Sequence, residues 1–193
     1  MRTAIPTAVF VLSLLSSSSA QDSFAAKSHD IDEAYQIYSL LLPHEESYGF
    51  AKGTIVIQED TVSHPIETAC FDPKSVTKFK DALADYKSAQ MSKWLLGRRF
   101  QIEKNYEIVN SDTINLLFKE HGVDGWRDFY SRYPNSGGFI IMSPVGFNKA
   151  KTLAVVYTGS SCGGLCGSWR FHLLEKLDGK WKEVPGVTCS TVS

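Results

Sequence analysis

No apolar run in this 193-residue chain is long enough to cross a bilayer, neither charge is in surplus, and no internal repeat occurs. The longest apolar stretch, Ala8 to Leu15, falls far short of the about 20 residues that a spanning helix requires. Twenty basic side chains stand against 21 acidic ones, so the chain lacks the electrostatic footprint of a nucleic-acid binder and the polybasic run of an anionic-lipid binder. Without a repeat of 20–50 residues, solenoids and propellers are excluded. No Asn-x-Ser/Thr sequon is present. The five histidines (His29, His44, His64, His121 and His172) lack the i, i+4 spacing of a helical zinc site, and His44-Glu45-Glu46 has no second histidine to complete H-E-x-x-H. No metal and no cofactor are expected.

What is present begins with an address. Arg2, the apolar stretch, and Ser18 and Ala20 in a serine-rich flank have the layout of a secretory signal peptide, residues 1–20. Cleavage after Ala20 would leave 173 of the 193 residues, enough for one domain with its own core. The expected location is secreted or periplasmic. There, four cysteines read as two disulfides rather than as free thiols.

Residues 21–29 are small and polar and read as a flexible arm, so the expected single domain is 30–193. Asp30 is placed to cap a helix whose stripe is Ile31, Ala34, Tyr35, Tyr38, Leu41 and Leu42. Gly53 to Gln58 is a β-branched strand. Asp72-Pro73 opens a helix with Val76, Phe79, Leu83 and Tyr86 inside, expected to run as far as Trp94. A short strand at Tyr106–Val109, a helix capped at Asn110 or Ser111, and a turn carrying Trp126, Phe129, Tyr130 and Tyr133 follow. From Gly138 four β runs are expected: Phe139–Phe147, Thr152–Thr158, Trp169–Leu177 and Lys180–Val187. Asp178-Gly179 supplies a two-residue hairpin turn between the last pair. The expected class is α+β, with N-terminal helices packed on a C-terminal antiparallel meander.

The glycine-rich stretch 160–169, Ser-Ser-Cys-Gly-Gly-Leu-Cys-Gly-Ser-Trp, invites three chemistries. Gly159-x-Ser161-x-Gly163 matches a nucleophile elbow, but the elbow must open into a helix and be followed by an acid and a histidine. Here a strand follows, and His172 already lies inside it. Cys162 and Cys166 read as thiol–disulfide or copper-handling ligands only if a helix end lowers their thiol pKa. Between two strands, a stapled hairpin fits better. Cys162 and Cys166 then face each other, and Cys70 and Cys189 form the remaining pair. The ring would fix an exposed loop of Gly163, Gly164, Leu165 and Gly167. Beyond it, alternation puts Trp169, Phe171 and Leu173 on one face, with Arg170 and His172 on the other as an anion-facing pair or as a solvated surface.

The C-terminal part resembles a family of uncharacterised secreted bacterial proteins. The carrying residues are Gly125-Trp126, Phe129-Tyr130, Tyr133-Pro134-x-Ser136, Ser143-x-Val145-Gly146-Phe147-Asn148, Ala154-Val155-Val156-Tyr157, Cys162-Gly163-Gly164-Leu165-Cys166-Gly167 and Leu173-Leu174-x-Lys176 to Gly179-x-Trp181. The resemblance spans about residues 105 to 185 and implies kinship, with no reaction, cofactor or ligand attached.

The leading expectation is an exported, non-catalytic binding module whose partner is a protein or a small molecule. Its candidate surface is Gly163, Gly164, Leu165, Gly167, Arg170 and His172. A hydrolase whose site converges only in three dimensions, or thiol and copper chemistry at Cys162 and Cys166, is the alternative. A deep pocket holding His172 or His121 beside a carboxylate would favour the enzyme. A shallow aromatic groove would favour binding.

Overall fold

The computed structural model describes residues 27–28, 31–42, 53–185 and 189–192. The expected signal peptide, most of the expected arm, the expected Asp30 cap, His29 and His44 lie outside the described residues. Among those described, no helix is long and apolar enough to cross a membrane.

One mixed eight-stranded sheet organises the chain. Its elements are β2 (Thr54–Gln58), β4 (Tyr106–Val109), β5 (Ser136–Met142), β6 (Gly146–Phe147), β7 (Leu153–Gly163), β8 (Cys166–Leu177), β9 (Lys180–Glu183) and β10 (Cys189–Val192). The order is β10-β8-β7-β5-β2-β4, with β6 paired to β7 and β9 to β8. A separate two-stranded pair joins β1 (Lys27–Ser28) to β3 (Trp94–Leu95). The α-helices among the described residues are α1 (Asp32–Leu41), α2 (Pro73–Lys78), α3 (Lys80–Ala89), α4 (Ser111–His121) and α5 (Gly125–Arg132).

The class is α+β, yet the sheet is not a purely C-terminal meander. β2 runs parallel to both β4 and β5, while β5, β7, β8, β9 and β10 pair antiparallel. The two early strands therefore extend the late sheet instead of standing apart. Ile55, Val56 and Ile57 are buried on both faces, as an interior parallel strand requires. The second helix also ends before Trp94. Phe79 (φ −95°, ψ 9°) interrupts it between α2 and α3, and Trp94 belongs to β3. Similarly, the Phe139–Phe147 run splits into β5 and β6 around Pro144, and β10 is a strand that the sequence pattern did not signal.

Each sheet face has its own cover. α1 lays Ala34, Ile37, Tyr38 and Leu41 on Ile55, Ile57, Ile140, Met142, Ala154, Val156 and Leu174. The opposite face carries α3 (Ala82, Leu83, Tyr86) and the preceding Phe79 over Val155, Tyr157, Phe171 and Leu173. Beside it, α4 and α5 pack Ile114 and Phe129 on Val56. The aromatic stripe 126–133 is thus a core face, as one side of an amphipathic helix must be. Asn110 caps α4 by accepting from the Asp112 N–H, and Asp72 caps α2 by accepting from Lys74 and Ser75. Asp178 and Gly179 take positive φ (51° and 76°), the mirror-image turn that suits a right-twisted hairpin.

α1 is fixed to the far edge of the sheet by charge. Glu33 accepts from Lys176 Nζ at 2.7 and 2.8 Å and from the Trp181 indole N–H at 2.8 Å. The Lys176 hydrogen bond holds the Glu33 carboxyl below its usual range, although partial burial opposes this. A depressed carboxyl contributes stability above its unfolded pKa and loses it as pH falls through the folded value. Glu33→Gln is therefore expected to flatten the acid limb of the stability curve below about pH 4.5. Urea melts of both proteins between pH 3 and pH 7 check this, and an unchanged slope would refute it.

Candidate ligand groove and a buried polar chain

Both disulfides form as the sequence predicts. Cys162 and Cys166 close the β7–β8 turn with Cα atoms 5.1 Å apart, and Cys70–Cys189 spans 119 residues with Cα atoms 5.5 Å apart. Neither pair is free. The long bridge ties the short 3-10 turn Thr68–Cys70 to β10, and this link frames a groove on the α3 face of the sheet.

The groove has a volume of about 830 Å³ and is lined by His64, Pro65, Glu67, Tyr157, Trp169, Phe171 and the Cys70–Cys189 bridge, with Ser190 and Thr191 on the rim. Its floor follows from hairpin register. Tyr157 and Phe171 are directly opposite each other on β7 and β8, and Trp169 stands two residues further on the same face. Tyr157 and Phe171 meet with centroids 5.0 Å apart. The indole of Trp169 lies across two glycines of the sheet. A Cβ at Gly159 would come within 2.4 Å of Trp169 Cδ1, and one at Gly167 within 2.7 Å of its Cη2. Both glycines leave room for a flat ring.

His64 forms one wall. Its ring stacks on Tyr157 at 4.1 Å with an interplanar angle of 7°, and its backbone is held at both ends. The N–H donates to Gln90 Oε1 and the C=O accepts from the Tyr86 hydroxyl. Desolvation by this packing lowers the His64 pKa. The same effect pushes the Tyr157 hydroxyl up to about 12. At neutral pH, aromatic rings therefore meet a ligand there, with Glu67 as the one carboxylate in the lining.

The other face of the hairpin holds a different arrangement. His172 is 3 % exposed, not part of a solvated surface. Its Nδ1 lies 2.8 Å from Glu183 Oε1, and its Nε2 lies 2.8 Å from Thr158 Oγ1. Hydroxyl, imidazole and carboxylate thus stand in the connectivity of an acyl-transfer triad. Burial argues for a different role. Thr158 is only 2 % exposed, and a nucleophile needs an open approach that brings the reacting carbon to about 3–3.5 Å. Held on both sides, the ring serves as a satisfied internal link between β7, β8 and β9.

Comparison with known proteins adds no relative. No family model matches the chain, and no curated protein or solved structure is similar to it.

The sequence-derived candidates therefore divide three ways. Leu165 protrudes at the hairpin tip, 90 % exposed, between Gly164 and Cys166. Gly167 lies under the Trp169 ring. Arg170 and His172 point to the α1 side, and His172 is six residues along β8 from Cys166, about 20 Å at strand rise. Loop and polar pair are thus separate features. Ser161 of the elbow motif sits within β7, opposite Gly167, with no helix after it. Among the described residues, no group of three or more His, Cys, Asp or Glu side chains is placed to hold a metal.

Sequence reading missed the groove because His64, Glu67 and Cys70 come from a loop about 90 residues before the hairpin. One signal was available. Once Cys162 and Cys166 are set opposite each other, Tyr157 falls opposite Phe171, and three aromatic side chains share one face.

Proposed function

We propose that this chain is an exported binding module that takes a ligand with an apolar or aromatic face into the Tyr157–Phe171–Trp169 groove. The observation that carries this reading is the groove floor itself: Trp169, half-buried and lining the groove, beside Tyr157 and Phe171, which are 4 % exposed, on one sheet face framed by a disulfide. Ligand sites combine such apolar lining with a few polar groups that set orientation, here Glu67 and Thr191. Export is supported by two disulfides, which persist in oxidising compartments, and by the signal-peptide pattern at residues 1–20. Kinship with secreted proteins that carry the Cys-Gly-Gly-Leu-Cys-Gly motif belongs to the same proposal.

Non-catalytic binding is favoured over hydrolysis because the one hydroxyl–histidine–carboxylate chain among the described residues is buried away from the groove, on the opposite sheet face. The test is a panel of oligosaccharides and of aromatic- or proline-containing peptides. Binding would be followed by tryptophan fluorescence and by backbone amide shifts. A binder is expected to perturb residues 64–70, 157, 169–171 and 189–191. Trp169→Ala is expected to weaken it at least about tenfold, the loss of roughly 1.4 kcal/mol of ring contact. A binder whose shifts map elsewhere, or one indifferent to Trp169→Ala in a folded protein, would sink the proposal.

A further inference from the structure

The α1 side of the hairpin carries a cation that nothing in the groove uses. Arg170 sits on β8 directly opposite Thr158 of β7 on one side and Ser190 of β10 on the other. Alternation along β8 places His172 on the same face, two residues away. Arg170 is partly buried, and its Nε is fully buried with no hydrogen-bond partner, the only such side-chain atom among the described residues. No carboxylate of the described residues pairs with its guanidinium, although Lys78, Lys93, Arg99 and Lys176 each have one. Glu183, the acid carried into this neighbourhood by β9, is taken up at 2.8 Å by His172.

Leaving a charged N–H buried without an acceptor is costly, because the group loses its hydration and gains no hydrogen bond in return. A guanidinium is also a planar fork matched to a carboxylate or phosphate. Its neighbours here are a hydroxyl on each flanking strand and an imidazole whose two nitrogens are already engaged. Glu183 is the carboxylate of these surroundings and its Oε1 is held by His172, which leaves the fork as the group that an incoming oxyanion meets. Because β10 is the edge strand of the sheet, the approach to Arg170 past the exposed Ser190 is short.

We propose that Arg170 anchors an oxyanion-binding site on the α1 face of the hairpin, recognising a carboxylate or phosphate group through its guanidinium, with the Ser190 hydroxyl beside it. This site is independent of the aromatic groove, which lies on the other face of the same strands.

The experiment uses the folded, disulfide-bonded protein with inorganic phosphate, acetate and chloride as probes at matched ionic strength. It reads the Arg170 Nε–H resonance and the melting temperature. Phosphate or acetate is expected to shift that resonance saturably. At a free anion concentration about tenfold above Kd, it is also expected to favour the folded state about elevenfold. The larger response of the two identifies the source as phosphate or carboxylate. Arg170→Met is expected to abolish the response. Arg170→Lys, which keeps the charge without the fork, is expected to weaken binding about tenfold or more and serves if the methionine variant does not fold. The proposal is overturned if chloride acts as well as the oxyanions, if neither oxyanion moves the resonance, or if the response survives in Arg170→Met or is undiminished in Arg170→Lys.

Discussion

Replacing both Cys70 and Cys189 with serine is expected to lower the free energy of unfolding by about 5 kcal/mol, against about 2 kcal/mol for the Cys162/Cys166 pair. The difference comes from the unfolded chain. A cross-link between residues 119 apart removes far more loop entropy than one between residues 4 apart. A loss near 5 kcal/mol is a large share of the about 5–15 kcal/mol by which a domain is stable. Paired replacement avoids leaving an odd thiol. Urea unfolding of the two double variants, compared by midpoint at constant slope, measures both losses. The long bridge also fixes β10 against the 3-10 turn, so its removal is expected to open the groove and weaken any ligand found there. The short one should leave the groove intact, because Leu165 and its ring lie at the hairpin tip. Equal losses for the two pairs would contradict the loop-entropy account.

Gly146→Ala is expected to cost at least about 3 kcal/mol, or to prevent folding, although it adds a single methyl group. β6 and α3 meet backbone to backbone at this point. A Cβ on Gly146 would stand 2.4 Å from the Tyr86 N, 2.5 Å from the Ala82 O and 2.5 Å from the Tyr86 Cα. The next residue is locked as well, its N–H donating to Asp85 Oδ2 at 2.8 Å. No flexible side-chain end is available to move aside, so relief requires shifting α3 off the sheet. Val155, Tyr157, Phe171 and Leu173 would then lose their cover. Gly163→Ala is the control, since its Cβ would meet only the Cys166 Cβ, at 3.4 Å. Thermal melts of the two variants should differ sharply. A Gly146→Ala protein as stable as the parent would show that helix and strand can separate at no cost.

The local elements were legible because local chemistry decides them. Asp72-Pro73 and Asn110 mark helix starts by supplying acceptors for orphan N–H groups. The stripes on α1 and α5 follow from the need to bury one helix face. Asp178-Gly179 specifies its turn through the positive φ that both residues adopt. Alternation along β8 assigned Trp169, Phe171 and Leu173 to one face and Arg170 and His172 to the other, and the two core clusters divide along that line. The Cys162–Cys166 ring was readable for the same reason: its partners are four residues apart, across the β7–β8 turn.

Strand order and the fate of particular polar groups were decided only by the tertiary structure. β2 joins the sheet between β4 and β5 because Ile55, Val56 and Ile57 need cover on both faces, and nothing in that three-residue apolar run names its neighbours. The helix from Pro73 breaks at Phe79 because α3 must turn to lie against Gly146, a contact 60 and more residues away. His172 looked like a surface histidine until β9 brought Glu183 to one nitrogen and β7 brought Thr158 to the other. The groove likewise exists because Cys70 is pinned to Cys189, placing His64 and Glu67 beside aromatic rings of a distant hairpin. Sequence sets backbone preference and the face each side chain takes, since these depend on a residue and its near neighbours. Which faces meet depends on burying all of them at once, and that condition is met only by the folded chain as a whole.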